Sequence, residues 1–375
     1  MKTVLVCPLN WGIGHATRCV PVVRKFLDNG FEVIIAADGH PLEFLRKEFP
    51  DVRFLHLPGI KITYPKNARF AFRMCLLTPK FFFGIIREHE RLKKILKEEK
   101  IDVILSDNRY GLWNKDKFTI FITHQLNIRL PGRMRFLSGI IRKINNSFIR
   151  RFDECWVPDF EYHMGLAGKL SHPATIPSNC IYIGALSRFS PEKFYHQNTF
   201  PPQNDIMVVL SGPEPQRSII EEKILHQLKS TALKGIVVRG IIDTDQSYNL
   251  TENIQVCSHL DTEQLQEEML ASEVVICRSG YSSIMDVVTL GKRAIFIPTP
   301  GQTEQEYLAH YMMDKKIYFA MPQSEFDLLY ALEMVINYPG MVMQNDYQIL
   351  EERIRLVNAG IQNAGNQNSE FRYSL

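Results

Sequence analysis

Two glycine-bearing turns, one in each half of the chain, constrain its fold more than any other feature. Cys7-Pro8-Leu9-Asn10-Trp11-Gly12-Ile13-Gly14-His15 follows an apolar run over residues 3–9, and Leu210-Ser211-Gly212-Pro213-Glu214-Pro215-Gln216-Arg217 follows another over residues 206–210. Runs of this kind read as buried strands, and each turn leads into a segment of helical periodicity. Glycine lets backbone N–H groups approach a ligand closely, and the helix start behind it favours negative charge. Two such units predict two facing nucleotide-fold domains with a ligand between them.

The rest of the chain keeps the same rhythm. Strands are expected over residues 3–9, 32–37, 53–56, 102–106, 118–123, 154–158 and 181–183, with helices over 16–28, 41–48 and 83–99 between them. The second half restarts at residue 206, with strands at 235–239, 254–257, 274–277 and 294–297 and helices at 217–229, 262–271 and 282–290. Alternation of this kind predicts parallel sheets in an α/β fold, and 375 residues suit two cores better than one. The expected division is an acceptor-side domain over 1–186, a linker over 187–204, a nucleotide-binding domain over 205–345, and a final helix with a tail over 346–375.

Seven cysteines without a CxxC pair indicate neither a disulfide framework nor a zinc site. The first residues lack the apolar core of a secretory signal, and no run approaches the roughly 18 apolar residues of a membrane span. A cytoplasmic protein, peripheral at most on the inner face of a membrane, is therefore expected. The net charge of +3 is unevenly placed: residues 129–151 carry Arg129, Arg133, Arg135, Arg142, Lys143, Arg150 and Arg151 without an acid, interleaved with Phe136, Ile140, Ile144 and Phe148. Residues 61–83 are also basic and aromatic. Such segments suit an interfacial helix on anionic lipid, although an amphipathic helix packed on its own core has the same pattern. No nucleic-acid recognition motif accompanies the charge, so nucleic acid is not an expected partner.

The sharper constellation lies in the second half. Cys277-Arg278-Ser279-Gly280-Tyr281-Ser282-Ser283 ends a strand and opens a helix, where an anion gains from the dipole and from unsatisfied donors. One turn further in, the Asp286 carboxylate suits a ribose diol. Residues 298–307, including Glu304 and Gln305, read as a polar loop at the carboxyl end of the next strand, the edge where open parallel sheets bind ligands.

Arg278-Ser279-Gly280 through Asp286, Gly291, Pro298 and Glu304-Gln305 resembles the C-terminal signature of glycosyltransferase family 28, and Gly12-Ile13-Gly14-His15 resembles that family's glycine-rich turn ending in histidine. The resemblance implies the GT-B fold, two Rossmann-like domains with parallel sheets facing across a cleft and a last helix crossing back to the first. It implies inverting transfer from a UDP-sugar, with no cofactor and no essential metal; the acceptor stays unidentified, a glycan or, if the basic-aromatic segments face solvent, a lipid-linked one. By position it makes Asp286 the ribose ligand, Ser282 and Ser283 the diphosphate-facing helix start, and Glu304 and Gln305 the contacts to the donor sugar. Glu304 departs from the family's glutamine there. Leu260 falls where backbone groups meet the uracil edge. The second-domain turn keeps Gly212 but carries two prolines, each lacking an N–H, so Gln216 and Arg217 are expected to supply part of the phosphate contact.

Inverting transfer needs a base for the acceptor hydroxyl, and histidine suits that near neutral pH. His15 follows the first glycine turn at the carboxyl edge of its sheet, beside Gly12 and Gly14 on the acceptor side. Asp107 ends another strand on that edge and is the expected partner orienting His15. His124 is an alternative base or an acceptor contact. Leaving-group stabilisation is expected from Ser279–Ser283 and from Arg278 or Arg217. A nicotinamide enzyme is the weaker reading, because Gly12 and Gly14 lack a third glycine before Asp38 and the second constellation stays idle. A nucleotide-sugar epimerase or a non-catalytic binder on the same fold is the remaining alternative. Asp243-Thr244-Asp245 reads as a solvated loop, not a metal site.

Overall fold

The computed structural model describes residues 1–59, 70–130, 136–162, 165–189, 202–241, 244–342 and 347–366, without the side chains of 70–80 and 361–366. The first half runs β1 (Thr3–Pro8), α1 (Gly14–Asp28), β2 (Glu32–Ala37), α2 (Gly39–Glu48), β3 (Arg53–His56), α3 (Phe70–Glu98), β4 (Val103–Asp107), β5 (Phe118–Ile122), α4 (Ser138–Ile149), β6 (Glu154–Val157) and β7 (Cys180–Tyr182). Its strands form one parallel sheet in the order β3-β2-β1-β4-β5-β6-β7. Every residue of β1 and β4 is buried, as expected of parallel strands covered on both faces.

The second half runs β8 (Asn204–Val209), α5 (Gln216–Leu228), β9 (Gly235–Val238), β10 (Ser247–Asn249), β11 (Ile254–Cys257), α6 (Thr262–Ala271), β12 (Ser272–Cys277), α7 (Tyr281–Thr289), β13 (Arg293–Phe296), α8 (Thr303–Asp314), β14 (Phe319–Ala320), α9 (Leu328–Val335) and α10 (Gln348–Asn366). Its sheet has the order β10-β11-β9-β8-β12-β13-β14. All pairings are parallel except that of β10 with β11.

Both sheets reverse strand order beside their first strand, between β1 and β4 and between β8 and β12. Crevices at the carboxyl ends of such reversal points are where doubly wound sheets bind ligands. The two glycine turns follow β1 and β8, so the crevices are built from those turns and the ends of β4 and β12. They face one another: Ser282 Oγ at the start of α7 donates to the Gly14 carbonyl at 2.8 Å. One buried apolar cluster runs through the junction and includes Val4 and Val20 from the first half and Val275, Ile284 and Leu308 from the second. Helix α10 returns to α1, adding Leu350, Ile354 and Val357 to that cluster, and Lys25 Nζ pairs with Glu351 at 3.1 Å.

Three expectations change. Residues 303–307 open a helix, α8, because Thr303 to Glu306 place two acids in a first turn, where the helix dipole favours them. Helix α3 begins at Phe70 and not at residue 83. The polar stretch after residue 243 holds a short exposed strand, β10, paired along the sheet edge. Asp243 lies outside the described residues, as do Arg133, Arg135 and residues 61–69 of the basic segments.

Candidate active site

The first crevice is centred on a carboxylate that is fully buried. Asp107 ends β4 and meets three side chains of α1. Its Oδ2 lies 3.1 Å from His15 Nδ1 and accepts from Arg18 Nε at 2.9 Å, while Oδ1 accepts from Arg18 Nη2. Cys19 Sγ stands 3.8 Å from the same Oδ2. Helical spacing puts His15, Arg18 and Cys19 on one face of α1, directly over the end of β4. Burial alone would raise the Asp107 carboxyl, but Arg18 and His15 outweigh it and bring it down to about 2. Burial lowers His15 below its ordinary value, and the Arg18 cation adds to this while Asp107 opposes it. The result is a neutral imidazole, 14% exposed, beside a fixed anion.

His124, just beyond β5, joins this group to the second domain. Arg18 Nη1 donates to its Nδ1 at 3.2 Å, and its Nε2 lies 2.8 Å from Glu304 Oε1 at the start of α8. Gln125 Nε2 donates to the other Glu304 oxygen. The His124 ring stacks on Tyr281 at 4.2 Å between centroids, and Tyr281 Oη donates to the Pro158 carbonyl at 2.7 Å. Burial would raise the Glu304 carboxyl, yet His124, Arg18 and His15 hold it below its ordinary value.

The second crevice has Gly280 as the extended N-cap of α7, with no side-chain cap. Gly212 stands at φ +107° in the facing turn, a conformation only glycine adopts freely, and a Cβ there would lie 3.5 Å from Thr299 Oγ1. That hydroxyl is buried without a hydrogen-bond partner. Arg278, also buried, gives its hydrogen bonds to carbonyls, among them Gln216 at 2.9 Å and Ile297 at 3.2 Å. Burial lowers it to about 10, so it stays a cation at neutral pH. A buried cation held by neutral carbonyls beside a glycine turn and a helix start is suited to an anion.

Several expected donor ligands are turned to protein partners. Asp286 accepts from Ser187 Oγ at 2.7 Å and faces Arg188 at 3.6 Å, so its carboxylate ties α7 to the chain between the sheets; burial raises it, against Arg188. Arg217 is neutralised by Glu214 and Glu221 on its own turn and helix. Ser279 Oγ donates to the Gln305 carbonyl at 2.8 Å. The Gln305 amide accepts from Thr299 N and donates to Gln302 Oε1 in the turn before α8. The Gln216 side chain pairs with Gln323, and Leu260 packs against the central apolar cluster. Ser282 bonds the Gly14 carbonyl, and Glu304 reaches His124 and Gln125 of the first domain. Sequence reasoning passed over Arg18, Gln125, Tyr281 and Thr299. For Arg18 the available signal was a cation on the apolar face Ala16, Cys19, Val20, Val23.

Residues 207–340 match the model of the glycosyltransferase family 28 C-terminal domain. The chain is 25% identical, over 81% of its length and 79% of the relative's, to an uncharacterized glycosyltransferase of Methanosarcina acetivorans. It is 23% identical, over 86% of its length and 87% of the relative's, to the UDP-N-acetylglucosamine--N-acetylmuramyl-(pentapeptide) pyrophosphoryl-undecaprenol N-acetylglucosamine transferase of Glaesserella parasuis. Among solved structures, MurG of Acinetobacter baumannii superposes with a TM-score of 0.56 at 14% identity, covering 95% of this chain and all of that one. The calicheamicin glycosyltransferase CalG4 gives 0.60 at 11% identity over 97% and 95% of the two chains. The protein is a glycosyltransferase of the GT-B fold. Within that class it is a family-28-like enzyme.

Proposed function

We propose that the enzyme transfers a hexose or N-acetylhexosamine from a UDP-sugar to an acceptor hydroxyl, with inversion and without an essential metal or resident cofactor. The observation that carries this reading is the His15–Asp107 pair at the first crevice, facing the Gly280–Ser283 helix start of the second. His15 takes the acceptor proton, its Nδ1 edge held against Asp107 at 3.1 Å and Arg18 at 2.8 Å. The departing diphosphate is received by the N–H groups of Gly280 to Ser283, the Gly212 turn and the Arg278 cation. Glu304 meets the sugar from the donor side, and its glutamate in place of glutamine favours a hydroxyl or amide N–H donor on the sugar.

The acceptor is lipid-linked or lies at a membrane surface. Among the described residues no helix is long and apolar enough to cross a membrane. Instead Phe82, Phe83 and Ile86 of α3 and Phe136, Ile140 and Ile144 at α4 are exposed, with Lys143, Arg150 and Arg151 beside them. Phe82 and Phe148 bring the two helices together, 6.2 Å apart at their ring centroids. An apolar patch fringed by cations suits an anionic bilayer.

The test is UDP release from a panel of UDP-sugars, with chelator present, by the wild type and by His15→Asn. Release from one UDP-sugar, surviving chelation and lost in His15→Asn, is expected. Release that requires a metal, or that is indifferent to His15, contradicts the mechanism.

A further inference from the structure

A single guanidinium touches Asp107, His15 and His124 of the first crevice. Arg18 is 2% exposed. It makes the two-oxygen contact with Asp107, lies 2.8 Å from His15 Nδ1 through Nη2, and lies 3.2 Å from His124 Nδ1 through Nη1. A guanidinium only donates and does not lose its charge in a protein. His124 Nδ1 must therefore present a lone pair to it, which puts that ring's proton on Nε2, aimed at Glu304 Oε1. His15 Nδ1 faces a donor in Arg18 and an acceptor in Asp107 at once, so the ring has no room for a second proton without setting two cations side by side.

We propose that Arg18 is the positioning residue of the active site: bridging Asp107, His15 Nδ1 and His124 Nδ1, it sets the charge that His15 faces and fixes the tautomer of His124, through which the first domain holds Glu304. This rests on the reading of His15 as the base. The charged and titratable groups facing His15 are Arg18 from α1, Asp107 from β4, His124 beyond β5 and Glu304 from α8. Of these Arg18 is the permanent cation. Remove it and Asp107 and Glu304 are left to draw a proton onto His15. The sign follows: His15 without Arg18 titrates higher, and a base that is protonated higher loses activity at higher pH. The arrangement differs from a simple histidine–carboxylate dyad, in which the carboxylate alone would push the imidazole toward the charged form.

The experiment is ring-nitrogen NMR on selectively 15N-histidine-labelled full-length protein, the His15 and His124 signals among the eleven histidines being assigned with His15→Asn and His124→Asn. In the unaltered protein the His124 ring is expected to present its lone pair at Nδ1 and its proton at Nε2. In Arg18→Gln the His15 titration is expected to rise by about one pH unit or more, and in Arg18→Lys, which keeps the charge, to stay within about half a unit of wild type. A His124 proton on Nδ1, or an unmoved His15 titration in Arg18→Gln, overturns the proposal. Should Arg18→Gln not fold, the His124 tautomer in the unaltered protein decides by itself. UDP release by His15→Asn separates the two levels. An active His15→Asn overturns the base assignment and Arg18's part in it. An inactive His15→Asn with an unmoved titration in Arg18→Gln overturns the Arg18 proposal alone.

Discussion

His15 works against two neighbours of opposite sign, and its rate profile should carry the signature of both. Replacing it with asparagine keeps a polar side chain and removes the base, so transfer should fall about 10²–10⁴-fold while UDP affinity changes little. Because burial and Arg18 lower the His15 value, the neutral base persists as pH falls through 6.5, the ordinary imidazole value. The acid limb of kcat/KM is therefore expected below pH 6.5. A limb above it would mean that Asp107 dominates the ring. His15 and Asp107, 92 positions apart, were legible in the sequence because one follows the glycine turn after β1 and the other ends β4, at the same edge of one parallel sheet. The partners of Asp286, Ser279 and Arg217 were not. Sequence spacing placed these residues at the correct turns, but whether a side chain meets a ligand or a neighbour depends on Ser187, Gln305 and Glu214, and no local pattern announces those contacts.

Between elements, α1 of the first domain packs against α7 of the second. A Cβ on Gly14 would stand 3.0 Å from Ser282 Oγ and 3.4 Å from its Cβ. The first contact is tight and asks the serine hydroxyl to give by a few tenths of an ångström, while the second is ordinary contact. Gly14→Ala is expected to weaken activity. In the Ser282→Ala background the same change should cost less, with a coupling of about 0.5–3 kcal/mol in a double-mutant cycle on kcat/KM. Strict additivity would show that the two helices do not meet in the working enzyme. At this scale the parallel strands were readable from uninterrupted apolar runs such as Val4–Val6 and Val274–Ile276. Helix α8 was not readable, because its first turn is polar and only Leu308, Ala309 and Met312 are buried on it. Strand β10 has an exposed tripeptide, Ser-Tyr-Asn, whose pairing comes from the edge of β11 and not from its own composition.

As a whole the molecule sets its chemistry at the junction of two doubly wound sheets and an apolar, basic face on its first domain. The reversal of strand order in both sheets fixes where the crevices lie, and that much followed from two glycine turns and an alternating pattern. The facing of the crevices follows from packing between α1, α7 and α10, which a one-dimensional pattern does not encode. If the α3–α4 face docks on lipid, flotation with anionic vesicles should be lost when Arg142, Lys143, Arg150 and Arg151 become glutamate, and should weaken as salt rises. Flotation unchanged by the four substitutions would remove the membrane from the account. The most direct test of the central claim, a nucleotide-sugar site between the two crevices, is calorimetry with UDP, GDP, dTDP and NAD in magnesium and in chelator. The account predicts selective binding of UDP that survives chelation and weakens at least about tenfold in Arg278→Met, the loss of one buried charge-assisted contact. Binding of NAD in place of UDP, or UDP binding indifferent to Arg278, would contradict it.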